Sequence, residues 1–109
     1  MNNDVFFDLY RVICDRKVNP QEGSYTCYLY EKGIDKILKK IGEEAAETII
    51  AAKGENKEDI KNEVCDLIFH VFVMLCEKGV PLDDVVRELE ERSKKLGNLK
   101  QMKVVDKNT

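Results

Sequence analysis

Between Cys65 and Cys76 the chain reads CDLIFHVFVMLC, and ten of those twelve residues are apolar. Wound at about 100° per residue, they cover every side of a helix. A helix that is apolar all round has to be buried, so the rest of the chain must surround it. Yet Asp66 sits inside this stretch, with Glu63 one turn before it and His70 one turn after it. The three share a face. An ionised carboxylate in such surroundings costs several kcal/mol unless it is paired. Something positive must therefore face Glu63 and Asp66, either lysines of a neighbouring helix or a metal ion.

Punctuation marks the other elements. A first helix is expected from about Asp4 to Lys17, capped by Asn3 or Asp4 and striped by Val5, Phe6, Leu9, Tyr10, Val12 and Ile13. Val18 to Tyr25 holds Asn19-Pro20 and Gly23-Ser24 and reads as a loop. Tyr25 to Lys32 is either a short helix or an extended lead-in. A long helix follows from Ile34 to Lys53, with Gly54 as its stop. The apolar helix runs from about Lys57 to Lys78, opened by a weak capping box of Asn56 with Asp59 and closed by Gly79. A last helix starts at Pro81, carries Leu82, Val85, Val86 and Leu89, and ends near Leu96 before Gly97. No strand pattern or repeat stands out. The fold class is all-α, a bundle of four to five helices. Residues 1–97 form its one domain, and 98–109 read as a polar, mobile C-terminal tail.

At 109 residues the chain is too short to bury its apolar surface well alone, so a homodimer or higher homo-oligomer is expected to complete the bundle. The net charge of -3 argues against a nucleic-acid partner. The N-terminus has neither a basic region nor a long apolar stretch, and the apolar run is too short to span a membrane. A soluble, cytoplasmic protein is the expectation. Of the four cysteines, none forms a CxxC pair, and Cys65 and Cys76 read as reduced thiols of the core.

On the long helix Ile34, Ile37, Leu38, Ile41, Ala45, Ile49 and Ala52 fall on one side. Lys36, Lys40, Glu43 and Glu47 fall opposite, with Glu44 at the border. Taken alone, this is an ordinary solvated face with pairs such as Lys40 and Glu44. Taken with Glu63 and Asp66 on the next helix, it puts four carboxylates together, which repel one another severely without a cation. Hard oxygen ligands of this kind suit Mg²⁺, one or two ions, with Mn²⁺ as the alternative. Lysines beside such a cluster suit a polyphosphate ligand. Lys32 and Lys39 have a plain surface reading as well. His70 has two readings. It is a core histidine bonded to a neighbour, or it orients a carboxylate or touches a phosphate. No nucleophile triad and no Gly-rich phosphate loop is present in the sequence.

Glu43-Glu44-x-x-Glu47 followed after fifteen residues by Glu63-x-x-Asp66 resembles the carboxylate motif of the all-alpha, MazG-like nucleotide pyrophosphohydrolases. The flanking stretches NPQEGSYTCYLYEKGIDKILKKIGEEAAETIIAAKG and CDLIFHVFVMLCEKGVPLDDVVRELEERSKK resemble the phosphoribosyl-ATP pyrophosphatase family, which acts in the second step of histidine biosynthesis. The resemblance covers roughly residues 4 to 95. It implies Glu44, Glu47, Glu63 and Asp66 as Mg²⁺ ligands, and Lys36, Lys39 and Lys40 as phosphate contacts. Glu43 is implied as an accessory carboxylate for a second metal or for the attacking water, a role that Glu47 shares as a candidate base. Ser24, Tyr25 and Thr26 stand where the family has a loop near the site. Pro81 departs from the capping Ser usual there, and the chain beyond Leu96 departs from the family's usual ending. The implied reaction is hydrolysis of phosphoribosyl-ATP to phosphoribosyl-AMP and pyrophosphate. Two alternatives are a housekeeping nucleoside triphosphate pyrophosphohydrolase with the same metal site and a non-enzymatic helical dimerisation module.

Overall fold

The structure, a computed structural model, describes residues 4–95. They form five helices, α1 (Asp4–Val18), α2 (Tyr25–Lys32), α3 (Ile34–Gly54), α4 (Lys57–Lys78) and α5 (Leu82–Ser93). No strand occurs among the described residues. No helix there is long and apolar enough to cross a membrane. Asn3 as a cap, the stretch Leu96 to Gly97 and the tail 98–109 lie outside the described residues.

The caps explain where most helices begin and end. Ser24 decides the stretch that the sequence left open between helix and lead-in. Its Oγ accepts the N–H of Cys27 at 3.2 Å, which nucleates α2. Gly33, at φ 94°, closes α2 and opens α3 in one residue. Asn56 Oδ1 accepts from the N–H groups of Glu58 and Asp59 at 3.0 and 3.2 Å and starts α4. Gly79 ends it in the left-handed region, φ 71°, and Val80 N–H returns to Leu75 O at 2.8 Å. The end of α3 differs from expectation. Gly54 is its last helical residue, and Glu55 takes the left-handed turn at φ 62°. The last helix is also shorter than expected, ending at Ser93, with Pro81 just before its first turn.

Every helix contributes to one core. Ile13, Leu29, Ile37, Phe72, Val73, Leu75 and Leu82 are buried together. Tyr10 and Tyr30 tie loop and helix ends to it by donating to Val80 O and Ile13 O, each at 2.8 Å. This core occupies the first half of α3 and the second half of α4. The apolar run of α4 is therefore buried only from His70 onward, and Cys65 and Asp66 at its start are exposed. Beyond the core, α3 and α4 continue as an antiparallel hairpin. There Ile49 is 65% and Ile50 69% exposed; in the first half of α3, Leu38, on the supposed buried side, is exposed as well.

The cysteines also depart from expectation. α1 crosses α4 so that Cys14 and Cys76, with Cα atoms 5.5 Å apart, form a disulfide. They are 62 residues apart, and no spacing rule connects them. Of the two cysteines in the apolar run, Cys76 is thus bonded rather than reduced, and Cys65 is exposed rather than in the core.

Candidate active site

The turn between α3 and α4 sets the site. In an antiparallel hairpin, positions equidistant from the turn face one another. Glu47 and Glu63 each lie eight residues from Glu55, and Glu44 and Asp66 each lie eleven. The two i,i+3 pairs thus meet face to face. One carboxylate oxygen each of Glu44, Glu63 and Asp66 falls within 4.8 Å of the others. Glu47 stands outside that triangle but against Glu63. The two line one side of a depression of about 230 Å³ that also takes in Asp59 and Ile50.

Burial within the cluster reverses the expected order. Asp66 is exposed, whereas Glu44, placed at the border of the polar face from sequence, is 6% exposed. The penalty argued for Asp66 therefore falls on Glu44. Two carboxylate oxygens, Glu44 Oε2 and Glu63 Oε2, are buried with no hydrogen-bond partner among the described residues. Protein interiors rarely leave such atoms unmatched. Crowding acts on Glu63, whose carboxyl is pushed up from 4.5 to about 7. Hydrogen bonding of its protonated form to Glu47 is the largest cause, followed by desolvation and repulsion from Glu47 and Glu44.

One lysine belongs to the cluster. Lys40 Nζ lies 3.4 Å from Glu43 and 3.5 Å from Glu44. Desolvation pulls its ammonium down, but the Glu43 hydrogen bond and the nearby Tyr25, Glu43 and Glu44 outweigh it and raise its pKa. Glu43 is exposed and, among the described residues, held only by this lysine. Lys36 is half-buried and Lys39 exposed, and neither forms an ion pair among the described residues. Lys32 lies over the Tyr28 ring, 5.7 Å from its centre.

His70 is buried and committed at both ring nitrogens. Nδ1 bonds to the Asp66 carbonyl at 2.7 Å, and Nε2 lies 2.9 Å from the Tyr25 hydroxyl. A carbonyl only accepts, so Nδ1 carries the proton and Nε2 accepts from Tyr25. This geometry matches the reading of a histidine bonded to its neighbours. Tyr25, expected where the family has a loop near the site, is the first residue of helix α2, at the edge of the acids. Burial raises its hydroxyl pKa first, Lys40 opposes this, and Glu44 adds to it. The SYT stretch was the only sequence signal for it.

What this arrangement can do is hold a hard cation on oxygen ligands with a lysine alongside. The chemistry of the donors fits Mg²⁺ or Mn²⁺, and the two unmatched oxygens supply the need for one.

A family model described as phosphoribosyl-ATP pyrophosphohydrolase matches residues 6–93. The chain is 58% identical over 99 residues to the phosphoribosyl-ATP pyrophosphatase of Clostridium acetobutylicum, which covers 91% of this chain and 90% of that one. The protein of the same name from Clostridium novyi is 59% identical over 99 residues, with the same coverage. The histidine biosynthesis bifunctional protein of Caldanaerobacter subterraneus is 56% identical over 92 residues, 84% of this chain and 45% of that one.

Proposed function

The chain belongs to the phosphoribosyl-ATP pyrophosphohydrolase family, and from that premise we propose that it hydrolyses phosphoribosyl-ATP to phosphoribosyl-AMP and pyrophosphate. This is the second step of histidine biosynthesis, carried out by a cytoplasmic homodimer with one or two Mg²⁺ ions held by Glu44, Glu47, Glu63 and Asp66. Mn²⁺ is the alternative ion. The observation that carries the reading is the pair of buried, unmatched oxygens on Glu44 and Glu63 inside a cluster of carboxylates.

In the reaction a water oxygen joins the alpha phosphorus, and the bond to the beta phosphate breaks. Glu44, Glu47, Glu63 and Asp66 would hold the metal, and when bound it would supply neutralisation of phosphate charge. The protein does the positioning, which is most of the work in phosphoryl transfer. Lys40, anchored by Glu43 and Glu44, presents a fixed ammonium beside the cluster. Lys36 and Lys39 have ammonium groups free for the leaving pyrophosphate. Glu43 and Glu47 are the two candidates to orient the water and take its proton. Glu43 is exposed and loosely held, and Glu47 lies outside the tight triangle. His70 contributes through Tyr25, by fixing the phenol at the site's edge.

Pyrophosphate release from phosphoribosyl-ATP in the presence of Mg²⁺ is the test. Glu47→Gln and Asp66→Asn are each expected to lower turnover by orders of magnitude with the helical circular dichroism unchanged. Full activity in both variants would sink the site assignment. Equal rates on ordinary nucleoside triphosphates would move the substrate to the housekeeping alternative.

A further inference from the structure

A second concavity lies next to the acid cluster. It is a cleft of about 930 Å³ between the C-terminal end of α1, the loop that follows it and the length of α2. That is the size of a nucleotide site. Tyr25 is common to both places. It lines the cleft, and its hydroxyl bonds His70 at the edge of the acids.

The cleft's chemistry is mixed, and the mixture is informative. Arg16 and Lys17 are its cations. Lys17 is already taken, with Nζ 2.7 Å from Glu77. Among the described residues Arg16 has only its sequence neighbour Asp15, at 3.6 Å, so there its donors are largely uncommitted. Glu22 and Glu31 line the same cleft. Their charge disfavours a polyanion there. A ligand with a single phosphate and several hydroxyl donors suits it better. Guanidinium is the natural partner of such a phosphate, because its fork matches two oxygens at once. The framework behind Arg16 is fixed. Cys27 Sγ donates to the Arg16 carbonyl and accepts the N–H of Gln21, both at 3.4 Å.

We propose that this cleft takes the ribose 5-phosphate arm of the substrate, with the Arg16 guanidinium on its phosphate. The proposal rests on the functional reading above. Phosphoribosyl-ATP carries its triphosphate at one end and one phosphate monoester at the other. With the triphosphate at the carboxylates, the far arm reaches past Tyr25. ATP has no such arm, so the cleft is where the enzyme tells the two apart.

The test compares the full-length protein with Arg16→Gln and Arg16→Lys. Pyrophosphate release from phosphoribosyl-ATP is expected to show KM raised about 10-fold to 100-fold in Arg16→Gln, with kcat changed much less. Arg16→Lys should fall between, since it keeps the charge and loses the fork. Independently, ribose 5-phosphate alone should shift the amide resonances of Gly23 and Ser24 in the unaltered protein and not in Arg16→Gln. An unchanged KM, or no shift with ribose 5-phosphate, overturns the cleft. Failure of the unaltered protein to turn over phosphoribosyl-ATP overturns the functional reading instead, and the amide shifts still decide whether the cleft binds a ribose phosphate.

Discussion

Glu63 is the residue on which pH and metal meet. Its folded-state pKa is raised from 4.5 to about 7. Its protonated form therefore stabilises the metal-free fold fully below pH 4.5, and that contribution is lost as pH rises through 7. Mg²⁺ competes with the same proton, so its binding strengthens over the same window. The rise in Tm on adding Mg²⁺ should be small at pH 5 and large at pH 8, and Glu63→Gln should flatten the difference. A Tm shift independent of pH in the unaltered protein would contradict this account. The identity of the four acids was legible from their spacing, but their inequality was not. Asp66 looks buried because its neighbours in sequence are apolar. Glu44 is buried only once its helix is packed into the fold. A helical wheel weighs only the helix it is drawn on, so it could not decide between them.

At the scale of elements, local chemistry was a good guide where a side chain or glycine does its work within one turn. Asn56, Gly79 and the bounds of α4 stand where the sequence puts them. The α3–α4 turn is the exception, and it is testable. Gly54 is helical, and a Cβ there meets nothing within 4 Å, while Glu55 bears the left-handed conformation. Gly54→Ala should gain about 0.5–1 kcal/mol, because alanine loses less backbone freedom in a helix. Glu55→Gly should add about 1 kcal/mol by removing the left-handed penalty. Urea unfolding of the double variant should show the sum, and a loss of stability would mean the turn is built otherwise. Contacts distant in sequence were beyond such reasoning. The Cys14–Cys76 bond joins α1 to α4 across 62 residues, and only the crossing of the two helices reveals it. In oxidised protein, Cys14→Ser should lower the unfolding free energy by about 2–4 kcal/mol. Dithiothreitol should destabilise the unaltered protein equally and leave Cys14→Ser unaffected.

The whole molecule is lopsided, and the site lies where it is thin. All five helices meet around one core at the end holding Ile37 and Val73, whereas the half of the α3–α4 hairpin that carries Glu47, Glu63 and the turn has no third layer among the described residues. Ile49, Ile50 and Val64 are left in solvent there, and Val5, Phe6 and Val12 on α1. Exposed apolar groups gathered on a functional element mark an interface. A second copy laid against the hairpin would remove them from water and add a layer over its outer half. It would also lower the dielectric around the carboxylates, which tightens their hold on a cation. Folding and pairing are then linked, so Tm should rise with protein concentration. Sedimentation velocity at tens of micromolar should give a dimer. Ile49→Glu places a charge in the buried face and should produce a monomer with lower Tm and weaker Mg²⁺ stabilisation, although residue 49 is not among the carboxylates. A protein that sediments as a monomer, with a Tm independent of concentration, would show instead that the hairpin is stable alone and that the site needs no second copy.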